Sequence, residues 1–401
     1  MRKKLISRTV TAVLILVAGR SHSFAKTNQE LEARLKILEA RFESLSEETT
    51  KFKPSKVSSV LNNAKVFGRL QVDGNWYNQD QAMDTKSDGI DIARARLGIR
   101  GEISKNLNYK FENDFAENAS EIKDAFVAYT GFKNSTITFG QSKPTFSMEI
   151  LESSNHMEFI ERSLAEDSVL GRLVGVKADK RGEKWRIAAG IFGEAVGNEA
   201  REDDSKYSMT ARATIAPINT KDQLLHLGLA TSHTSRDRNI DATTDDTLDK
   251  EHLIGGELIA RYNAFTLKGE YIMNAAEYDS NSGSGDTVDF TSYYVQASLF
   301  LTGEYRAYSK KAAKLGKINV KSAFDKGGIG AFELSARVSH LDKNDKSIIE
   351  GKSDNYSIGL NWYINNNVRV MLNYLESETD YANAKNSEGY DAVSLRTRIY
   401  F

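Results

Sequence analysis

Six lysines crowd one short stretch of the chain: Lys310, Lys311, Lys314, Lys317, Lys321 and Lys326, opposed there only by Asp325. The whole chain has a formal charge of −1, so this stretch runs against the bulk. Lysine is a compact charge on a flexible stem, and a group of lysines attracts an anion without fixing it so tightly that it cannot leave. A second set of cations recurs at even spacings. Arg94, Arg96 and Arg100 lie near one end of the chain, Arg396 and Arg398 at the other, and Arg337 between them. On a strand, spacings of two and four place side chains on one face. Where apolar residues fill the alternate positions, the same parity turns Arg69, Arg186, Arg212 and Arg369 to the polar face. A row of such charges guides anions along a surface.

Other residues test competing chemistries. Residues 143–168 hold Lys143 and Arg162 against Glu149, Glu152, Glu158, Glu161, Glu166 and Asp167. Unpaired, these acids would repel an anion. Residues 236–250 carry five aspartates, but without the alternating Asp pattern and glycine of a calcium loop. The six histidines (His22, His156, His226, His233, His252 and His340) are scattered with no zinc spacing. No metal or cofactor is therefore expected. His156 with Ser153, Ser154 and nearby acids is the one local group resembling a hydrolytic constellation; it lacks a motif, so no enzyme is expected. Cysteine is absent, which removes thiol chemistry and disulfides together.

The elements that must position these charges follow from periodicity. Residues 1–25 read as a signal peptide: Met1-Arg-Lys-Lys, an apolar stretch from Val10 to Gly19, then Ser23-Phe-Ala25. Its loss removes five basic residues and leaves 49 basic against 55 acidic, so bulk charge does not announce an anion binder, and no nucleic-acid partner is expected. After it no apolar run reaches the roughly 18 residues a helix needs to cross hydrocarbon. Within residues 26–50, Leu31, Leu35, Leu38, Phe42 and Leu45 fall at spacings of four and three, which predicts a short coiled coil and a trimeric stalk. Residues 51–65, with Pro54 and several serines, read as a linker.

From residue 66 to residue 401 the period is two. Sixteen strands are read, near 66–76, 91–102, 106–116, 122–132, 134–142, 169–180, 184–194, 206–216, 223–235, 251–262, 264–275, 288–301, 330–341, 353–364, 368–377 and 390–401. Long polar connections alternate with tight ones, as external loops alternate with periplasmic turns in outer-membrane barrels. Trp185, Tyr262, Tyr293, Trp362 and Tyr374 recur on apolar faces and would suit interfacial girdles. The last strand alternates through to the terminal Phe401, like the signal read by the barrel assembly machinery. The expected fold is all-β: a transmembrane antiparallel barrel of about 16 strands behind a short coiled-coil helix, in the outer membrane of a Gram-negative cell.

Several stretches resemble the phosphate-selective porin O/P family. They are Arg94-Ala-Arg-Leu-Gly-Ile-Arg-Gly101, Tyr109-Lys-Phe-Glu-Asn-Asp114, Lys123-Asp-Ala-Phe-Val-Ala-Tyr-Thr-Gly-Phe132, Phe139-Gly-Gln-Ser-Lys-Pro144, Glu161-Arg-Ser-Leu164, Leu301-Thr-Gly-Glu304 and Asn361-Trp-Tyr-Ile-Asn-Asn366. The resemblance implies a homotrimer and a lumen narrowed by inward segments at 143–168, 236–250 and 302–329. It implies a water-filled channel for small solutes, anion-preferring, with phosphate or similar oxyanions as partners, set among outer-membrane lipid and lipopolysaccharide. The residues expected at the pore are Lys143, the five lysines from Lys310 to Lys321, and Arg94, Arg96, Arg100, Arg337, Arg396 and Arg398. A weakly selective general porin, a barrel enzyme and an envelope tether are the alternatives.

Overall fold

Alternating polar and apolar residues become, in the computed structural model, one antiparallel sheet closed on itself. The structure describes residue 36 and residues 63–79, 86–116, 120–196, 204–238, 248–278, 287–345, 348–381 and 388–401. Of two compact units, Met1–Ser59 and Val60–Phe401, the first lies outside the described residues apart from Lys36, and with it the expected signal peptide and coiled coil.

The strands are β1 (Lys65–Gln79), β2 (Gly89–Ser104), β3 (Leu107–Asp114), β4 (Glu121–Tyr129), β5 (Ser135–Ser142), β6 (Leu173–Arg181), β7 (Trp185–Phe192) and β8 (Asp204–Asn219). There follow β9 (Gln223–Arg238), β10 (Leu248–Tyr262), β11 (Phe265–Tyr278) and β12 (Thr287–Phe300). A small hairpin of β13 (Tyr308–Ser309) and β14 (Lys314–Leu315) precedes β15 (Ala331–Asp345), β16 (Ile348–Tyr363), β17 (Val368–Asp380) and β18 (Glu388–Tyr400). All sixteen expected barrel strands are present. β9 and β10 run beyond their expected ends, so residues 236–238 and 248–250 belong to strands, and residues 239–247 of the second expected inward loop lie outside the described residues. At the end of β3 the Phe115 N–H still donates to the Ala95 carbonyl (3.0 Å), but the Asp114 carboxylate accepts the backbone N–H of Ala95 (3.0 Å) and Ala116 (3.4 Å), so the ladder goes no further.

β18 returns to β1 with Asp73 opposite Arg396, closing the barrel. Closure removes the sheet edge, whose bare backbone groups would each cost several kcal/mol in hydrocarbon. The terminal residue completes the seam: Gly68 and Phe401 exchange two backbone hydrogen bonds of 3.1 Å. A Cβ on Gly68 would lie 2.7 Å from the Phe401 ring and 2.9 Å from the Arg96 carbonyl oxygen, so any larger residue forces the seam to shift.

Burial is inverted relative to a water-soluble sheet. On β12, Ser292, Gln296 and Ser298 are buried while Val295 and Leu299 are exposed. Outward Leu229 and Ile358 are 67% and 59% exposed. An apolar belt outside and a polar lumen inside are what lipid demands of a barrel. At the periplasmic rim Trp185 opens β7, Tyr262 closes β10 and Phe265 opens β11, all exposed.

Most periplasmic turns are short, as at 182–184, 220–222 and 263–264; residues 301–330 are the long exception. This long turn and the external segment 143–168 meet inside the lumen. The external segment contains one helical turn, α1 (Met148–Leu151), capped by Ser147 Oγ, which accepts from the Ile150 N–H at 3.3 Å. Phe146 packs on Ala230, Leu253, Ile272 and Tyr294, and Met148 on Ala216, Leu224, Ile259 and Leu315. The apolar side of the loop is thus sealed against β8–β12.

Candidate functional site

Five of the six acids of the inward loop are held by cations of the wall or of the loop itself. Glu149 accepts from Ser163 Oγ (2.6 Å) and sits 3.5 Å from Arg337. Glu152 and Glu158 share Lys268 at 2.8 Å each. Glu161 meets Arg396 at 2.8 Å and Arg94 at 3.3 Å, and Glu166 meets Arg162 at 2.9 Å. Wall arginines also donate to loop carbonyls: Arg337 to Glu161 (3.1 Å), Arg396 to Ile160 (2.6 Å), Arg369 to Met157 (2.7 Å) and Arg398 to Asn155. Three arginines chosen from the sequence, Arg337, Arg396 and Arg398, therefore stand where they hold the loop in place.

The long turn is docked with equal care. Arg306 makes two bonds to Glu333 (3.1 and 2.7 Å), meets Glu158 at 2.9 Å and donates to the carbonyl of His156. Tyr308 Oη contacts His226 Nδ1 at 2.7 Å, while His226 Nε2 and Arg212 both bind Glu257. Arg212 also donates to the carbonyl of Ala313 at 2.9 Å, and Lys314 to that of Leu151. Turn and loop form one internal assembly.

What remains open lies toward β1–β6. A cavity of about 260 Å³ there is lined by nine cations: Arg69, Arg94, Arg96, Lys110, Lys143, Arg162, Arg172, Lys177 and Lys314. Only three carboxylates join them: Glu112, Asp124 and Glu152. Glu112 spaces Arg69 (2.8 Å) and Lys110 (2.7 Å), and Asp124 pairs with Lys110 and with Arg172 (2.7 Å). Each guanidinium has five donors, so one carboxylate leaves donors free. Burial, reinforced by nearby Arg162 and Arg172, holds the Lys143 ammonium well below its ordinary pKa. Burial likewise pushes Lys314 down to about 8.

A second cavity of about 710 Å³ includes Lys65, Arg100, Asn108, Lys110 and Phe126; it shares Lys110 and Phe126 with the first. The Arg100 guanidinium lies 5.1 Å from the centre of the Phe67 ring. Of the candidates read from sequence, the first cavity gathers Arg94, Arg96, Lys143 and Lys314. Lys310, Lys311, Lys317 and Lys321 are exposed and stand outside its lining, and Lys321 donates to the Gly303 carbonyl at 2.5 Å. Lys110, Arg172 and Lys177 were not picked out from sequence. Strand parity carried the signal for two of them, since Lys110 alternates with exposed Phe111, and Lys177 with exposed Val176. Such an array, fixed by ion pairs yet rich in spare donors, can replace the water around a passing anion.

Comparison with known proteins agrees with this geometry. Residues 64–401 match the family described as phosphate-selective porin O and P. Porin O of Pseudomonas aeruginosa is 23% identical over an alignment covering 84% of this chain and 87% of that protein. The outer-membrane channel DcaP of Acinetobacter baumannii is similar in structure, with a TM-score of 0.59 and 12% identity over 84% of this chain and 97% of that one. The anion-selective porin of Comamonas acidovorans gives 0.55 and 14% over 84% and 99%. The chain belongs to the phosphate-selective porin O and P family and is an outer-membrane porin channel.

Proposed function

We propose that the channel prefers anions, with small oxyanions such as phosphate as its solutes, and that the nine-cation cavity is its filter. The observation that carries this reading is the balance of that lining, nine basic side chains to three carboxylates, in a lumen whose loop acids are mostly paired. Arg94, Arg96, Lys143 and Lys314 act there together with Arg69, Lys110, Arg162, Arg172 and Lys177. Arg100 and the exposed lysines Lys310, Lys311, Lys317 and Lys321 add a broader attractive field, while Arg337, Arg396 and Arg398 keep the loop clear of the passage.

The wider assembly follows the same reading. Residues 1–25 leave as a signal peptide, the barrel is inserted by the assembly machinery, and three copies associate with help from the coiled coil. Family and fold are those of a channel, and no catalytic role is proposed. Planar-bilayer recording in a salt gradient tests the filter. A reversal potential on the anion side is expected, and a cation-side potential at low salt would overturn the reading.

A further inference from the structure

Two of the scattered histidines come together on the outer surface of the barrel. His233 of β9 and His252 of β10 are direct cross-strand partners, with ring centroids 4.3 Å apart. Both point outward by parity, since their neighbours Ser232, Thr234 and Leu253 are buried. Met209 of β8 is the partner of His233 on its other side, and Met273 of β11, opposite Ile254, stands diagonal to His252. Directly opposed side chains on a sheet have Cβ atoms roughly 5 Å apart and diagonal ones roughly 7–8 Å, within reach of a long methionine. Among the described residues there are five methionines, and only Met209 and Met273 are exposed.

The surroundings decide which ion such a group suits. His233 Nδ1 is buried and has no hydrogen-bond partner. Tyr207 packs edge-on against the His233 ring at 5.9 Å. Lys250 and Glu277, one step nearer the external ends of their strands, pair with each other at 3.1 Å, so the charge beside the rings is balanced. On the periplasmic side the row gives way to exposed Leu229 and Ile254, the edge of the apolar belt. Among the described residues no three His, Asp or Glu side chains converge, so a dication that wants several nitrogen and oxygen ligands lacks a full set. Two imidazoles with a thioether are a different set, because soft sulfur selects the cuprous ion. Charge favours the same ion. The cost of holding an ion beside hydrocarbon grows with the square of its charge, and neutral ligands leave a cuprous ion one charge where zinc keeps two.

We propose that His233, His252 and Met209 bind one cuprous ion on the outer face of the barrel, at the external edge of the apolar belt, with Met273 supplying a second sulfur. The ligands lie on separate strands and meet only through strand pairing, which is why the histidine spacing in sequence matched no metal motif. The site rests on the outer-membrane barrel alone and not on the filter, so it stands or falls separately from anion preference.

The test uses the full-length protein, purified from its membranes in mild detergent without a polyhistidine tag. It is titrated anaerobically with Cu(I) in competition with the chelator bicinchoninate, and in parallel with Zn(II). One copper per protomer is expected, with sulfur among its neighbours in X-ray absorption. His252→Gln should weaken Cu(I) binding by more than about 100-fold, beyond the cost of losing a group that merely supports a ligand, while unit conductance stays unchanged. The pair Met209→Leu and Met273→Leu keeps the apolar surface and removes only the thioethers. It should abolish the sulfur signal and the preference for Cu(I) over Zn(II), and it serves as the second probe if His252→Gln does not fold. Three outcomes would overturn the proposal: Cu(I) affinity unaltered in both variants, Zn(II) held by the wild type as tightly as Cu(I), or a changed oligomeric state of metal-free His252→Gln, which would make the paired rings a contact between copies of the chain.

Discussion

Lys314 is the one lysine of the basic turn that lines the filter cavity, so Lys314→Gln should reproduce most of what neutralising the whole turn would do. An anion passing at about 4 Å from its ammonium gains roughly 1 kcal/mol in bulk water and about 4 kcal/mol at the effective dielectric near a protein surface. Taking the lower figure, and about 1.4 kcal/mol per factor of ten, the anion-to-cation permeability ratio should fall about fivefold. The loss should shrink at about 1 M salt, where the screening length is near 3 Å. The assay is the reversal potential across a planar bilayer at several ionic strengths.

Proton titration gives an independent handle on the same charge. Burial pushes Lys314 down to about 8, so its charge is present below that pH and lost above it. Wild-type anion preference should therefore decline as pH rises through about 8, and Lys314→Arg should decline less there because its guanidinium remains protonated. The sign separates this from unfolding. A lysine whose folded-state pKa is depressed binds fewer protons folded than unfolded, so its contribution to stability rises with pH between about 8 and its ordinary value. If Lys314→Gln leaves the reversal potential unchanged while the triple variant Lys311→Gln, Lys317→Gln, Lys321→Gln abolishes selectivity, the placement of the filter is refuted.

Other outcomes are open to direct measurement. Arg306→Met strips the cation from buried Glu333 and one of two from Glu158, which keeps Lys268, and should cost about 3–5 kcal/mol, read as a lower thermal midpoint and as new protease cleavage within 143–168. Gly68→Val drives a side chain into the Phe401 ring; folded barrel recovered from the outer membrane should drop sharply, whereas unimpaired assembly would show that the seam tolerates distortion. Removing residues 28–49 should leave unit conductance unaltered and weaken the trimer on native gels. Lys110→Gln should reduce anion preference, since Lys110 lines both cavities, and an unchanged reversal potential would count against its part in the filter.

The barrel was legible because lipid imposes a period of two on every crossing strand, as in Ser208-Met-Thr-Ala-Arg-Ala-Thr-Ile215, where Met209, Ala211, Ala213 and Ile215 turn outward. The length of the turn at 302–329 likewise showed that it needed somewhere to go. What periodicity does not report is pairing across the lumen. Glu161 and Arg396 are 235 positions apart, and Lys268 and Glu152 are 116 apart. Such partners are brought together only by closure, which is why the loop acids read as obstacles in sequence and stand as fastenings in the fold. For the same reason the lysines between Lys310 and Lys321 are dense in sequence yet only Lys314 lines the proposed filter cavity: a local cluster spreads over a folded hairpin, while cations single in sequence, such as Arg172 and Lys177, converge.

The inward loop seals against β8–β12 and leaves the passage beside β1–β6, so the circumference is divided between two duties. Substitutions on the sealed half alter how firmly the insert sits, and their mark should be open-channel noise, since a looser insert flickers. Substitutions on the open half change which ions pass and leave the current quiet. A mutational survey of the lumen should accordingly sort by azimuth around the barrel axis more than by depth along it.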